Sequence, residues 1–156
     1  MSSSFVTFLI DHGDDRAMRA ALRRGLGKPE GHPAMYPYVV PFLGKAKEDM
    51  WRYFTVAALF GVFPEHEEGI GFGKALGKLE RNDSLEKRFI WLLDATIEEL
   101  PVRLKSMVSL LKSKNVGFDY QRLFKDLSYW DHPKHFVQLN WAEDFYRIEK
   151  QNQNKE

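Results

Sequence analysis

The chain has 156 residues, 44% of them hydrophobic, and a formal net charge of +1 with no cysteine. This length is enough for one domain or two small lobes that share a core. The lack of cysteine excludes a disulfide framework, a thiolate zinc site and a cysteine nucleophile, and it fits a reducing cytoplasm. No apolar stretch approaches the roughly 18–20 residues that span a membrane, and the run at 5–10 lacks the flanks of a signal peptide.

The spacing of apolar residues is helical nearly throughout, and strict alternation is absent, so the sequence predicts an all-α fold. The first helices are expected at residues 4–11, from Asp14 or Asp15 to about 26, and at 45–63, where Pro64 ends the third. Two prolines allow only a broken helix over 34–43. Residues 65–71 are predicted to form a polar, flexible loop, and a glycine-interrupted helix is expected at 72–80.

Two capping boxes organise the second half of the chain. Asp83 with Glu86 and Thr96 with Glu99 predict helices that start near residues 84 and 96, with a break near Asp94 and the second helix reaching about 114. Asp119 is the expected N-cap of the next helix, and Pro133 is expected in the first turn of the last one. We therefore predict two packed helical lobes, residues 1–82 and 83–150, followed by a frayed tail at 151–156.

Positive charge is concentrated in one segment of the chain. Residues 100–125 contain six basic residues against Asp119 alone, whereas glutamates cluster at 65–68. On a helical projection Lys105, Ser109 and Lys112 form a stripe beside the apolar face of the helix after Thr96, and Arg103 flanks the other side. Such a stripe could track a phosphate backbone, and it is also typical of a solvated helix face.

No catalytic constellation emerges from the sequence. The glycine-rich segment at 69–75 departs from the phosphate-loop pattern, with Glu68 and Ala75 at positions that need glycine and a hydroxyl residue. His132 and His135 could share a helix face, but a metal site needs further ligands. The four tryptophans suit core positions better than base stacking. We expect a non-catalytic protein with no metal and no other cofactor.

Four blocks of sequence, in order, resemble those of a known family. They are AALRRG at 20–25, MYPYVVPFL at 35–43, FGKAL at 72–76 with SLEKRF at 84–89, and the aromatic-rich stretch 118–146. Together they resemble the small subunit of Cascade, the type I-E CRISPR surveillance complex (the CasB family). The resemblance implies a non-catalytic subunit that associates with another copy of itself, with the crRNA-bound backbone subunits and with the large subunit.

The resemblance also implies the nucleic acid that the chain would bind. The subunit would hold the displaced single-stranded DNA of the R-loop and lie against the target-strand path, by phosphate contacts without base readout. The expected nucleic-acid-binding residues are basic side chains on several helices: Arg23, Arg24, Lys74, Lys87, Arg88, Arg103, Lys105, Lys112 and Lys134. The alternative is a protein-interaction scaffold without direct DNA contact.

Overall fold

The structure, a computed structural model, describes residues 2–45 and 49–154, with side chains described as far as residue 147 in the last helix. Within these ranges the regular elements are helices, and the expected all-α fold is confirmed. The α-helices are α1 (Ser4–Asp11), α2 (Arg16–Arg23), α3 (Tyr36–Val39), α4 (Met50–Val62), α5 (Phe72–Gly77), α6 (Asp83–Leu93), α7 (Leu100–Ser113), α8 (Tyr120–Leu127) and α9 (Phe136–Asn154). Short 3₁₀ turns flank α3, so the broken helix predicted over 34–43 is confirmed.

Two of the predicted helix starts are confirmed by their capping hydrogen bonds, and the capping box predicted at Thr96 forms in a turn four residues ahead of α7. Asp15 accepts the backbone N–H of Met18 at the start of α2, and Asp119 accepts two N–H groups at the start of α8. Ahead of α7, the Thr96 N–H donates to Glu99 Oε1 at 2.9 Å while the Glu99 N–H donates to Thr96 Oγ1 at 3.3 Å. This reciprocal pair satisfies two N–H groups that a helix start leaves without partners.

The start predicted near residue 84 is confirmed to within one residue with a different N-cap, whereas the start predicted at residue 45 is wrong by five residues. The N-cap of α6 is Asn82, whose side chain accepts the Leu85 N–H at 2.8 Å, so Asp83 is already the first helical residue. The third predicted helix begins at Met50 rather than at residue 45. Residues 46–48 of that prediction lie outside the described residues.

The last helix also starts later than predicted. Pro133 lies in a turn that ends at His135, and α9 begins at Phe136. His132 Nδ1 accepts the Lys134 N–H, and His135 has a positive φ of 51°, a conformation that a right-handed helix cannot include. The two histidines therefore do not share a helix face, and the prediction that they could is wrong.

The loop at residues 65–71 is attached to the connection between α7 and α8. The Glu67 N–H donates to the Phe118 carbonyl at 2.9 Å, and the Asp119 N–H donates to the Ile70 carbonyl at 2.7 Å. The Asp119 carboxylate also accepts the Gly69 N–H at 2.9 Å, opposite the bonds by which it caps α8. A segment that we predicted as flexible is thus held at both ends by backbone hydrogen bonds.

The core is built around α4, in which residues 54–61 are all buried. Helix α2 packs on α4 at Gly61, where an added Cβ would lie 2.9 Å from the Arg19 carbonyl oxygen. Helix α5 packs on α9, with the Phe72 and Trp141 rings 5.0 Å apart.

The lobe boundary near 82 and the frayed tail remain predictions, and residues 155–156 lie outside the described part of the chain. None of the described helices has the length and apolar character needed to cross a bilayer.

Candidate nucleic-acid interface

The loop after α2 and the middle of α7 together form a basic surface. Gly27, in a left-handed turn with φ of 80°, lies beside α7, where an added Cβ would be in ordinary van der Waals contact with Lys105 Cδ at 3.5 Å. Arg24 and Lys28, on either side of this glycine, are exposed. We call Arg24, Lys28 and Lys105 the loop patch. Two of its members, Arg24 at the end of α2 and Lys105 on α7, are among the predicted binding residues.

The positive charges of the loop patch affect the pKa of His32. Partial desolvation lowers the pKa of His32, and the positive charges of Arg24 and then Lys28 lower it further. Its Nδ1 accepts the Ala34 N–H at 3.0 Å, which uses the unprotonated nitrogen. The imidazole is therefore held neutral, and the positive charge of this surface comes from arginine and lysine.

The stripe predicted on α7 extends from the loop patch. Lys105, Ser109 and Lys112 are exposed, while Leu100, Leu104, Met107, Val108 and Leu111 are buried on the core side of the helix. Seven residues of α-helix separate the two lysines, a rise of about 10 Å. This separation is comparable to the reach of a few phosphates along an extended strand, so the stripe can follow a backbone.

Three of the predicted arginines make hydrogen bonds within the protein. Arg23 Nη1 donates to the Gly61 carbonyl at 3.2 Å, and Arg88 Nη2 donates to the carbonyl and hydroxyl oxygens of Ser106 at 3.0 and 2.7 Å. Arg103 Nη1 donates to the Trp91 carbonyl at 2.6 Å. These bonds connect α2 to α4 and α6 to α7, which gives each arginine a structural role.

Of these three arginines, Arg103 also forms an ion pair. Its side chain is only 14% exposed, and Nη2 pairs with Glu99 Oε2 at 2.8 Å. Hydrogen bonds from the Thr96 backbone and side chain lower the pKa of Glu99 against the opposing effect of partial desolvation, and the Arg103 charge adds to the lowering. The carboxylate therefore stays charged beside Arg103 at neutral pH.

The remaining predicted lysines lie on elements outside the loop patch. Lys74 is exposed on α5, Lys87 on α6, and Lys134 in the turn before α9. The structure thus places the loop that carries Arg24 beside Lys105, with Lys112 two turns further along α7, and leaves these three lysines on other elements.

Lys28 is the member of the loop patch that sequence reasoning missed. Its position in a loop carries no binding signal of its own, although Gly25 and Gly27 mark a tight turn that returns the chain toward its neighbours. The signal in the sequence is a basic residue directly after a left-handed glycine. Which helix the turn meets depends on tertiary packing, so it does not follow from the sequence.

The described residues contain no group of three histidine, aspartate or glutamate side chains arranged to hold a metal ion. His66 has a structural role, because its Nδ1 accepts the Tyr120 N–H at 3.2 Å. Burial raises the pKa of Asp126, although the Trp141 Nε1–H donates to its carboxylate at 2.8 Å and lowers that pKa in part.

Comparison with known proteins agrees with the helical fold and the order of the sequence blocks. The family model described as CRISPR-associated protein Cse2 matches residues 18–146. A Cse2 protein from Thermus thermophilus is 38% identical over an alignment of 136 residues that covers 83% of this chain and 79% of the relative. The crystal structure of CasB from Thermus thermophilus superposes with a TM-score of 0.80 at 34% identity, covering 92% of this chain and 98% of that one.

A chain from a CRISPR RNA-guided surveillance complex has the same fold, with a TM-score of 0.82 over 98% of this chain and 96% of that one at 24% identity. This identity is too low to carry more than the fold. The family match and the Thermus relative support family membership as well as the fold, since each spans over four fifths of the sequence. The chain therefore belongs to the CRISPR-associated Cse2 family, the CasB small subunits that its sequence blocks resemble.

Proposed function

We propose that this protein is a non-catalytic small subunit of a CRISPR surveillance complex that binds nucleic-acid backbone without regard to sequence. Its role is to stabilise the R-loop by holding the displaced strand and by lying along the target-strand path. The observation that carries the proposal is the approach of Lys105 to Gly27, which combines basic residues from two helical segments into the loop patch.

Counterion release supplies the binding free energy in this proposal. Each lysine or arginine that neutralises a phosphate frees condensed cations, and the affinity then falls linearly with salt on a double logarithmic plot. Arg24, Lys28, Lys105 and Lys112 are exposed, and Gly27, which lies between Arg24 and Lys28 in the chain, contacts Lys105. Sequence specificity would come from pairing with the guide RNA, since phosphate contacts position a strand without reading its bases.

The proposed protein partners are a second copy of the chain, the crRNA-bound backbone subunits and the large subunit. Family membership and the shared fold of a chain from a CRISPR RNA-guided surveillance complex support this proposal. The structure also offers exposed apolar side chains for such contacts. Ile90, Val102 and Leu139 are each more than half exposed.

These apolar side chains favour the second candidate, a scaffold that touches only protein. In a scaffold the basic residues would be solvated or paired with acidic partners, and exposed Ile90, Val102 and Leu139 would supply the contact area. The two candidates differ in what happens when the charge of the loop patch is reversed.

The test is the double variant Arg24→Glu/Lys105→Glu, which spares Arg23 because its bond to Gly61 would confound the result. Fluorescence anisotropy with mixed-sequence single-stranded DNA should give a salt slope smaller by about 1.4, or 0.7 for each phosphate that is no longer neutralised. Lys78→Glu/Lys125→Glu changes the charge by the same amount at exposed sites outside the loop patch and should keep the slope.

The same variants then enter an R-loop assay in the assembled complex. The proposal expects assembly to survive and R-loop formation to weaken in the loop-patch variant alone. Equal salt slopes for the wild type and both variants, with assembly lost in the loop-patch variant, would establish the scaffold instead.

A further inference from the structure

Trp91 is exposed and does not belong to the core. Its side chain is 39% exposed, whereas Trp130 and Trp141 are 1% and 2% exposed and Trp51 is half-buried. The expectation that all four tryptophans pack in the core is therefore wrong for Trp91. The cause lies in the helical register, because Leu85, Phe89 and Leu92 already fill the buried face of α6 and Trp91 falls outside it.

The exposed indole is held in place by its neighbour on α7. The Arg103 guanidinium carbon lies 5.0 Å from the centroid of the Trp91 ring, and its Nη1 bonds the Trp91 backbone carbonyl. Glu99 holds the other end of the guanidinium, and the capping box with Thr96 holds Glu99. An exposed tryptophan that is braced in this way loses little side-chain entropy when a ligand binds.

Helix α7 connects Trp91 to the basic surface. Bonds from Arg88 to Ser106 and from Arg103 to Trp91 fix α6 along one side of α7, and Lys105 reaches Gly27 on the other side. The solvent side of α7 lies between them, where Val102 is 53% exposed. Because an α-helix with side chains is about 10 Å wide, a strand on the loop patch needs to cross only one helix to reach Trp91.

We propose that Trp91 stacks against a base of the single strand held by the loop patch, an inference that rests on the proposed function. Proteins that bind single strands without sequence preference combine a basic groove with aromatic side chains, because every base has a π-face. Lys87 lies one turn before Trp91 on α6 and is exposed, so it can neutralise a phosphate next to the stacked base. Arg103 acts as the positioning residue for the indole.

The experiment compares oligo(dT) with a strand of the same length whose bases are replaced by abasic tetrahydrofuran units, using the full chain at low salt. The wild type should bind oligo(dT) more tightly, and Trp91→Ala should weaken oligo(dT) binding about 5- to 160-fold, the range for loss of one stacked base. Binding of the abasic strand should be the same in the wild type and in Trp91→Ala. Trp91→Phe should recover part of the lost affinity because it restores an aromatic face.

Ile90→Ala is the matched control, since Ile90 is 58% exposed on the same helix and carries no aromatic ring. It should bind both strands like the wild type. Equal affinity of the wild type for oligo(dT) and abasic DNA would overturn stacking while the proposed backbone binding stands. Equal losses on both strands in Trp91→Ala would also overturn it, and a wild type that binds neither strand would remove the proposed function as well.

Discussion

Gly73 offers a sharp test of how the chain packs. It lies in α5 against the backbone of α9, and an added Cβ would lie 2.7 Å from Trp141 Cα and 2.8 Å from its carbonyl carbon. The carbonyl oxygen of Trp141 would lie closer still. Ordinary van der Waals contact begins near 3.4 Å, so a Gly73→Ala chain must separate the two helices by at least about 0.7 Å at this point. Backbone atoms cannot change rotamer, which leaves movement of a whole helix as the way to relieve the clash.

Two opposing effects set the size of the loss. Overpacking a tight contact costs about 1–3 kcal/mol, and a clash with backbone belongs at the upper end. Replacing glycine by alanine inside a helix returns about 1 kcal/mol. The net expectation is a loss of about 2 kcal/mol in the free energy of unfolding, which lowers the Tm by about 4–8 °C for a domain of this size.

Urea unfolding followed by circular dichroism measures the change, with Gly44→Ala as the control. A Cβ at Gly44 meets nothing within 4 Å, and Gly44 lacks the positive φ found at Gly27, Gly31 and Gly69. The control should stay within about 0.5 kcal/mol of the wild type, as surface substitutions usually do. A Gly73→Ala protein as stable as the wild type would show that α5 and α9 are not in backbone contact, and the reasoning would fail.

Two further substitutions test buried polar groups. Tyr120→Phe removes the hydrogen bond that the buried tyrosine donates to the Phe63 carbonyl, and urea unfolding should show a loss of about 1–3 kcal/mol from the orphaned carbonyl. Asp126→Asn should raise the free energy of unfolding at pH 7, because the raised pKa of Asp126 means that the folded protein disfavours its charged form. The stability contributed by Asp126 is present below its ordinary pKa near 3.8 and is lost as the pH rises through the folded value, so the gain should shrink toward pH 3. A gain that persists unchanged at pH 3, measured by unfolding across that pH range, would contradict this assignment.

Local signals in the sequence were sufficient for much of the fold. The capping box at Thr96 and the apolar face of α7 were predictable because both depend on residues within one or two helical turns. The attachment of residues 65–71 to Phe118 and Asp119 was not, since it joins segments about 50 positions apart. The exposure of Trp91 escaped prediction for a related reason, because hydrophobicity alone does not tell which side of α6 faces the core.

Arginine and lysine have different roles in the candidate site. Arg23 and Arg103 donate to the carbonyls of Gly61 and Trp91, which belong to the last turns of α4 and α6. Helix ends leave such carbonyls without intrahelical partners, and the guanidinium fork satisfies them while its stem packs. Sequence patterns cannot separate these arginines from ligand-binding ones, since the partner carbonyls come from distant segments.

Lysines therefore supply most of the charge that the candidate interface offers to a ligand. Lys28, Lys105 and Lys112 are exposed, and Arg24 is exposed in the same loop as Lys28. An ammonium group is a compact point charge, whereas bidentate reading of a base edge favours the planar guanidinium. A surface whose arginines are mostly committed to carbonyls, and whose lysines face solvent, suits a strand held by its phosphates while other components read its sequence. Replacing Lys105 by arginine should accordingly leave the salt slope unchanged, because each residue neutralises one phosphate.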